Sequence, residues 1–306
     1  MSDQSVSDTT RSRRQLTLLS PAKLNLFLHI TGRRPDGYHT LQTLFQLLDY
    51  GDIMHFELLP TDETQLVCDD PQLQSAENLV LRAASALRER TGVQIGARIT
   101  LNKKIPMGAG LGGGSSNAAT TLVALNHLWQ AGLSRAELSD IGVRLGADVP
   151  VFIHGRTAWG EGIGEQLTPV YLAHRFYIVL SPPCHVATRE IFSNQQLTRD
   201  STAIKMAAFL AGQSRNDCEV LVRKLYPDVD NTLNWLNQFA SARMTGTGAS
   251  VFAGFESREA AITVLRALSN SKDKAVNAER IKAFVASGIA ESPVCALWII
   301  SPDQIL

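Results

Sequence analysis

The segment Pro106-Met-Gly-Ala-Gly-Leu-Gly-Gly-Gly-Ser-Ser116 carries five glycines within seven residues, between a strand-like stretch and a helical pattern. Glycine has no Cβ, so such a backbone can adopt positive φ angles and approach a ligand closely. A plain turn needs only one or two glycines. The first N–H groups of the following helix are unpaired, and the helix dipole adds roughly half a positive charge there. This segment, called the glycine loop below, is therefore predicted to bind an anion, most naturally a polyphosphate.

The hydroxyl groups of Ser115 and Ser116 can cap the helix, bind phosphate oxygens or ligate a magnesium ion. The predicted phosphate cradle consists of Pro106, Met107, Gly108, Ala109, Gly110, Leu111, Gly112, Gly113, Gly114, Ser115 and Ser116.

Two other phosphate-binding motifs are excluded. Gly108, Gly110 and Gly113 match the spacing of the dinucleotide fingerprint, which also needs an acidic residue ~20 residues further on, at the end of a second strand. Here the next acidic residue is Glu137, which lies in a helical pattern with a capping box. A Walker A loop needs a Gly-Lys pair, and the chain contains none.

Composition favours a two-domain globular protein in a reducing compartment. The chain has 306 residues, of which 44% are hydrophobic, and 29 basic residues balance 29 acidic ones. Zero net charge gives no support for bulk binding to nucleic acid or to an anionic membrane. The four cysteines form no CxxC pair, the N-terminus lacks an apolar leader, and no apolar run approaches the ~20 residues that span a bilayer. We expect a cytoplasmic protein without nucleic-acid or membrane partners.

The pattern of strands and helices predicts an α+β fold. Strand-like runs and a helix from about Glu77 to Arg90 lie before the glycine loop, and further helices and a buried strand at 176–183 follow it. The polar stretch 270–283 is predicted to be a surface insertion or an exposed helix. The apolar residues after Asp148 and those at 295–300 are predicted to form strands.

Two ionisable residues stand out near apolar segments. Lys23 is the single cation in the apolar run from Leu16 to Ile30, if His29 is neutral. Such a lysine either protects an edge strand from pairing with another chain or has a functional role. Asp148 has apolar neighbours in Leu-Gly-Ala-Asp-Val-Pro-Val-Phe, where a lone carboxylate is costly to bury. Its alternative role is to cap a helix or turn.

Further motifs accompany the glycine loop in the chain. Ser20-Pro-Ala-Lys-Leu-Asn-Leu-Phe-Leu28 and Asp36-Gly-Tyr-His-Thr-Leu41 precede it, and Met244-Thr-Gly-Thr-Gly-Ala-Ser-Val-Phe252 follows it. In this order the motifs resemble the GHMP kinase superfamily, which includes galactokinase, homoserine kinase and mevalonate kinase. With LGADVPVF, they are most similar to the branch that acts on 4-diphosphocytidyl-2-C-methyl-D-erythritol. The resemblance covers nearly all of residues 16–300 and is weakest at 268–290.

The resemblance implies a two-domain GHMP kinase fold. It does not cover residues 1–14, whose polar composition predicts a disordered N-terminal extension. Residues 15–168 would form a domain like the second domain of ribosomal protein S5, with a left-handed βαβ unit, the ATP loop and the catalytic pair. Residues 169–306 would form a ferredoxin-like domain.

The resemblance also implies an activity, the ATP-dependent phosphorylation of the 2-hydroxyl group of 4-diphosphocytidyl-2-C-methyl-D-erythritol. This reaction belongs to the non-mevalonate route to isoprenoid precursors. Homoserine kinase or mevalonate kinase activity is one alternative, and a nucleotide-binding regulator without turnover is another. Rings of Tyr38 and Phe192 that flank one pocket would favour the cytidine substrate, whereas Lys23 and Asp148 argue against a regulator.

The matching positions imply roles for individual residues. Lys23 and Asp148 would be the catalytic pair, with Asp148 as the base. The resemblance implies ATP-binding roles for Asn78, Lys103, Thr247 and Gly248, in addition to the glycine loop. It implies substrate-binding roles for Asn25, for Tyr38, His39 and Phe192 around the cytosine, and for Thr188 nearby.

ATP chemistry implies a magnesium ion, but no sequence pattern marks a particular carboxylate as its ligand. The seven histidines show no HxxH or HExxH spacing, so no structural zinc site is expected. The expected partner is a small molecule that carries a cytidine diphosphate, and the expected oligomeric state is a monomer or a weak homodimer.

Overall fold

The computed structural model describes residues 14–273 and 275–298. The extension predicted at 1–14 lies outside these residues except for Arg14, and so do residues 299–300 of the predicted final strand.

The described chain mixes strands and helices, as predicted for an α+β protein. The strands are β1 Gln15–Arg33, β2 His39–Leu59, β3 Thr64–Cys68, β4 Gly96–Asn102, β5 Ala158–Glu161, β6 Gln166–Pro169, β7 Phe176–Ser181, β8 Ala242–Met244, β9 Val251–Phe255 and β10 Lys282–Ile289. The α-helices are α1 Leu79–Thr91, α2 Gly113–Leu128, α3 Arg135–Leu145, α4 Val149–His154, α5 Thr188–Ser193, α6 Met206–Leu210, α7 Glu219–Leu225, α8 Pro227–Leu236 and α9 Arg258–Ser269. Short 3-10 helices cover Pro71–Leu73, Ala278–Arg280 and Pro293–Trp298.

One sheet runs through the described part of the molecule, with the central order β3-β4-β2-β10-β7-β9-β8. β1 pairs with β2, and β5 pairs with both β2 and β6. β10 pairs with β2 through residues 288–289 and with β7 through residues 282–287. The sheet is therefore continuous from the N-terminal half of the chain to the C-terminal half. The domain boundary predicted at 168/169 falls at the end of β6 and stays a prediction.

β1 and β2 form a long antiparallel hairpin, and Pro35, Asp36 and Gly37 lie in the turn between them. Strand β1 continues through Pro21. Register shifts between Pro21 and Lys23 and between Asn25 and Leu28 interrupt the pairing. Such irregularities bend a strand and redirect its side chains.

The helix after the glycine loop lies deep in the molecule. Residues 116–125 of α2 are all buried, so the helix is covered on every side rather than along one stripe. The loop itself rests on an apolar cluster to which Leu111, Leu24 of β1, Val179 of β7 and Phe252 of β9 belong. Burying such a side chain contributes about 1.5–3 kcal/mol to stability. Both halves of the chain therefore hold the loop in place.

The segment after Asp148 corrects the prediction of an apolar strand. Residues 149–154 form helix α4, with Pro150 in its first turn and Gly155 at its C-cap. A short apolar run that is buried all round does not distinguish a strand from a helix by periodicity. Asp148 occupies the N-cap position of α4, but its side chain makes no capping hydrogen bond.

The C-terminal part corrects one further prediction. The polar stretch 270–283, expected to be a surface insertion or an exposed helix, is mostly exposed or half-buried where it is described, and β10 begins at its end, at Lys282. The strand expected at 295–300 is a 3-10 helix over the described residues 293–298. Strand β3 was not predicted.

Candidate active site

The glycine loop borders a cavity of about 990 Å³ in the described structure. Its wall includes the start of α2, the side chains of Lys23 and Asp148, the second glycine turn at Gly246 to Gly248, and the turn that carries Tyr38. The site therefore draws on both halves of the chain.

Two glycines of the loop cannot be replaced without strain. Gly110 has a φ angle of 75°, and a Cβ on it would lie 2.4 Å from the carbonyl oxygen of Thr245. Gly112 has a φ angle of 72° and is the N-cap of α2, where a Cβ would lie 3.1 Å from Cε of Lys23. The loop thus needs glycine both for its conformation and for its close contacts with the second glycine turn and with Lys23.

The Lys23 ammonium group lies at the centre of the site. Its Nζ atom is 3.2 Å from Oδ2 of Asp148, and it donates hydrogen bonds to Oδ1 of Asn25 at 2.6 Å and to the carbonyl oxygen of Gly110 at 2.9 Å. Lys23 is only 3% exposed, whereas the Asp148 side chain is 34% exposed. An ammonium group has three protons; the hydrogen bonds to Asn25 and Gly110 use two of them, and the contact with Asp148 is an ion pair. Lys23 therefore joins β1, the glycine loop and the carboxylate.

Neighbouring strands fix the side chain of Asn25. Its Nδ2 donates to Oγ1 of Thr43 at 2.9 Å, and its backbone N–H donates to Oγ1 of Thr245 at 2.9 Å. The Thr245 hydroxyl also donates to the Gly110 carbonyl oxygen at 3.4 Å. Asn25 and Lys23 lie on the same side of β1, since residues two apart in a strand share a face.

A buried carboxylate organises the other side of the loop. Asp52 is fully buried and accepts from Nζ of Lys103 at 2.5 Å and from Nδ2 of Asn117 at 2.9 Å. It also accepts from the backbone N–H groups of Lys104 and Ile105, at 2.7 and 2.9 Å. Four donors satisfy this carboxylate, which is the condition for burying a charge. Asp52 thereby fixes Lys103 and the chain that leads into the glycine loop.

Asn78 lines the cavity, but both polar atoms of its side-chain amide are hydrogen-bonded to the backbone. Oδ1 accepts from the N–H of Val80 at 2.9 Å and caps α1, while Nδ2 donates to the carbonyl oxygen of Leu73 at 2.7 Å. Its polar atoms are committed to the backbone.

An aromatic group lies at the far end of the cavity. The rings of His39 and Phe192 are stacked, with centroids 5.3 Å apart, and Tyr38 is 58% exposed at the cavity wall. No ring contact joins Tyr38 to Phe192 among the described residues. Burial, and then the positive charges of Arg199 and Arg33, lower the pKa of His39 below its ordinary value of 6.5.

The structure brings the predicted site residues together, with one exception. Ser116 does not line the cavity; it is buried, and its hydroxyl lies 2.8 Å from the hydroxyl of Ser20. Thr188 lines the cavity and bonds to the hydroxyl of Thr247 at 3.0 Å. The remaining predicted residues that line it are Lys23, Asn25, Tyr38, His39, Asn78, Lys103, Pro106, Met107, Gly108, Ala109, Gly110, Leu111, Gly112, Gly113, Gly114, Ser115, Asp148, Phe192, Thr247 and Gly248.

Sequence reasoning missed several residues of the site. Arg33 and Arg189 line the cavity, and their positive charge next to predicted substrate residues is a signal that could have found them. Asp52 carries no local signal, because Lys103 and Asn117 are 51 and 65 residues away from it along the chain.

The described residues contain neither a metal-binding cluster nor a membrane-spanning helix. No group of three or more His, Cys, Asp or Glu side chains there could hold a metal ion. Within the same residues, every helix is too short or too polar to cross a membrane.

Comparison with known proteins places this geometry among kinases. The chain matches the protein families described as "GHMP kinases N terminal domain" over residues 78–156 and "GHMP kinases C terminal" over residues 196–274. It is 50% identical over 285 residues to a 4-diphosphocytidyl-2-C-methyl-D-erythritol kinase of Marinobacter nauticus. The aligned region covers 92% of this chain and 96% of that protein.

Solved structures agree with these sequence matches. A crystal structure of 4-(cytidine 5'-diphospho)-2C-methyl-D-erythritol kinase is similar with a TM-score of 0.74 and 31% identity, over 90% of this chain and all of the other. A homoserine kinase from Cytophaga hutchinsonii has a TM-score of 0.61 and 19% identity over 91% of this chain and 96% of its own, so it shares the fold alone.

Proposed function

This chain belongs to the 4-diphosphocytidyl-2-C-methyl-D-erythritol kinase family of the GHMP kinases, and we propose that it transfers the γ-phosphoryl group of ATP to the 2-hydroxyl group of that substrate. The products are the 2-phosphate and ADP. The observation that carries this proposal is the contact of 3.2 Å between Lys23 and Asp148 in the cavity that the glycine loop borders.

The glycine loop holds the phosphates of the nucleotide. Gly113, Gly114 and Ser115 form the first turn of α2, where backbone N–H groups have no partner within the helix. The dipole of this helix adds positive charge at the same point. Phosphoryl transfer depends mainly on positioning and on neutralising the charge of the transferred group, and the loop supplies both.

Asp148 receives the proton of the attacking hydroxyl. Its partial exposure on the cavity wall leaves room for a substrate, and the Lys23 ammonium group lies 3.2 Å from its Oδ2 atom. Lys23 also holds the Gly110 carbonyl oxygen, so one cation sets the distance between the base and the phosphate loop. This arrangement suits in-line attack on a phosphorus atom held by the loop.

The donor set also fits a magnesium ion that is bound mostly by phosphates and water. Asp36 and Asp148 are the carboxylates among the described residues that line the cavity, and Ser115 contributes a hydroxyl group. Ser115 would hold the ion together with phosphate oxygens and water, which supply most of the ligands of Mg²⁺ in kinases. When bound, the ion neutralises charge on the phosphates.

The aromatic end of the cavity binds the cytosine. Tyr38 and Phe192 offer ring faces for stacking, which is worth ~1–3 kcal/mol per base, and His39 reads the edge of the base. A homoserine or mevalonate kinase has no base on its acceptor and needs no such group. The wall of this cavity therefore favours the cytidine substrate over both alternatives.

A coupled assay of ADP release tests the proposal. Turnover is expected with 4-diphosphocytidyl-2-C-methyl-D-erythritol and not with homoserine or mevalonate. Turnover with either alternative alone would refute the assignment, and ATP binding without any turnover would favour the nucleotide-binding regulator. The cytoplasmic location, the monomeric or weakly dimeric state, the absence of nucleic-acid and membrane partners, and the division into domains at 168/169 remain predictions.

A further inference from the structure

Arg199 lies outside the predicted site and touches two of its residues. It follows α5, and its Nε–H donates to Nε2 of His39 at 3.0 Å. Its Nη2 donates to the carbonyl oxygens of Phe192 at 2.9 Å and Asn194 at 2.6 Å, and Nη1 donates to that of Leu197 at 3.0 Å. The guanidinium group thus ties the His39 ring to the backbone of the segment that carries Phe192.

This contact determines the tautomer of His39. An arginine has five N–H donors and no acceptor, and it stays protonated in proteins. Nε2 of His39 must therefore be the acceptor, which leaves the proton of the neutral ring on Nδ1. No hydrogen bond within the described residues uses Nδ1, and His39 lines the cavity. Nδ1–H is consequently the donor that the ring can offer to a ligand.

The surroundings also keep the ring neutral. Burial and the positive charges of Arg199 and of Arg33, at the end of β1, all lower the pKa of His39. A proton on Nε2 would oppose the N–H of Arg199 directly. Arg189 and Asp36 are the other charged residues of this part of the cavity wall.

We propose that Arg199 is a positioning residue for base recognition, which fixes the Nδ1–H tautomer of His39 and thereby selects cytosine over uracil. The inference rests on the proposed function, because it needs a pyrimidine base at the aromatic end of the cavity. Cytosine presents the acceptors N3 and O2 on its Watson–Crick edge, whereas uracil carries a proton on N3. A fixed N–H donor opposite N3 therefore accepts cytosine and opposes uracil.

Nitrogen-15 NMR of the histidine rings tests the tautomer without any substrate. In the wild-type protein, His39 is expected to show a protonated Nδ1 and an unprotonated Nε2 at neutral pH. Arg199→Met should produce a mixture of tautomers, and Arg199→Lys, which retains one donor, should largely restore the wild-type pattern. A wild-type ring protonated on Nε2, or a pattern unchanged in Arg199→Met, overturns the proposal.

Kinetics test the consequence for specificity. With Arg199→Met, we expect the KM for the cytidine substrate to rise about tenfold, with a smaller change in kcat, and the preference over the uridine analogue to fall by a similar factor. Arg223→Met is the matched control, since Arg223 pairs with Asp230 on the neighbouring helix and should leave both preferences unchanged.

The outcomes separate this inference from the proposed function. If Arg199 only braces the segment around Phe192, the variant binds both analogues more weakly by the same factor, and the inference fails. If the wild-type enzyme does not phosphorylate the cytidine substrate at all, the proposed function fails, whatever tautomer the NMR spectrum shows.

Discussion

At Lys23, three acceptors surround one ammonium group, and each comes from a different part of the site. Two of its donors are used in hydrogen bonds to Asn25 and Gly110, and the ion pair holds the group next to the Asp148 carboxylate. Its proposed effect on catalysis therefore includes the positioning of Asp148 and of the Gly110 carbonyl. A charge held in this way is preorganised, because it needs no reorientation when the substrate arrives.

Replacing Asp148 by Asn removes the proposed proton acceptor and keeps the shape of the side chain. We expect kcat to fall by about 10²–10⁴, the usual contribution of a general base, while ATP still binds. A steady-state assay together with titration calorimetry measures the two effects. Asp140→Asn, at an exposed position of α3, is the control that should keep full activity. Unchanged kcat in Asp148→Asn would refute the assigned role.

Asp52 is expected to matter for both stability and nucleotide affinity. In Asp52→Asn the Lys103 ammonium group loses its buried partner, which typically costs about 3–5 kcal/mol. Urea denaturation should show this loss, and the KM for ATP should rise because the chain before the glycine loop is no longer held. Glu57→Gln removes the exposed pair with Arg98 and should change the free energy of unfolding by less than about 1 kcal/mol. Equal effects of the two changes would contradict the proposed role of Asp52.

At the scale of elements, the junction between the glycine loop and α2 depends on Gly112. Its positive φ angle costs an L-residue about 1–2 kcal/mol, and a Cβ would also lie 2.9 Å from Phe152 and close to Lys23. Gly112→Ala should lower stability and also lower kcat, since it displaces the Lys23 side chain.

Gly132 provides a matched control for Gly112→Ala. Its φ angle of 70° is nearly the same, but no atom lies within 4 Å of the position of a Cβ. Gly132→Ala should therefore share the loss of stability in urea denaturation and keep full turnover. A kcat that is unaffected by Gly112→Ala would show that the crowding at Lys23 has no catalytic consequence.

The sequence predicted those elements that carry a local signal. The capping box of α3 is present, with Ser134 and Glu137 each accepting from the other's backbone N–H, and the Pro-Asp-Gly turn closes the first hairpin. Helix α4 was misassigned because its apolar run has no period that separates helix from strand. β10 was not predicted; β2 and β7, which pair with it on its two sides, are far away along the chain.

The site was predictable to the extent that its motifs are contiguous. Lys23, Asp148 and the glycine loop stand within recognisable segments, and the structure brings all of them to one cavity. Asp52 and Arg199 act through partners that are far away along the chain. Such contacts form only when the chain folds, so the residues next to Asp52 and Arg199 in the sequence do not predict them.

At the scale of the whole molecule, four histidines make stability depend on pH. Burial lowers the pKa values of His29, His39, His127 and His154 below the ordinary value of 6.5. As the pH falls below 6.5, the unfolded chain takes up protons before the native protein does. The free energy of unfolding therefore decreases as the pH falls from about 6.5 to the lowered native pKa values. Above that pH range the histidines are neutral in both states and cause no loss of stability.

A double variant tests this dependence away from the site. In His127→Gln/His154→Gln, the decrease in the free energy of unfolding between about pH 7 and about pH 5.5 should be smaller than in the wild-type protein. Urea denaturation at several pH values measures it. Identical slopes for the two proteins would contradict the effect of burial on these histidines.

The position of β10 in the sheet has a consequence for synthesis. A ribosome makes β7 before residues 282–289, so the edge of β7 that pairs with residues 282–287 stays open until that segment has emerged. β2 offers the same segment only the short gap at Leu47 and Leu48, between its pairings with β5 and β4. An open strand edge can pair with another chain, so the nascent polypeptide is exposed to aggregation until β10 is in place.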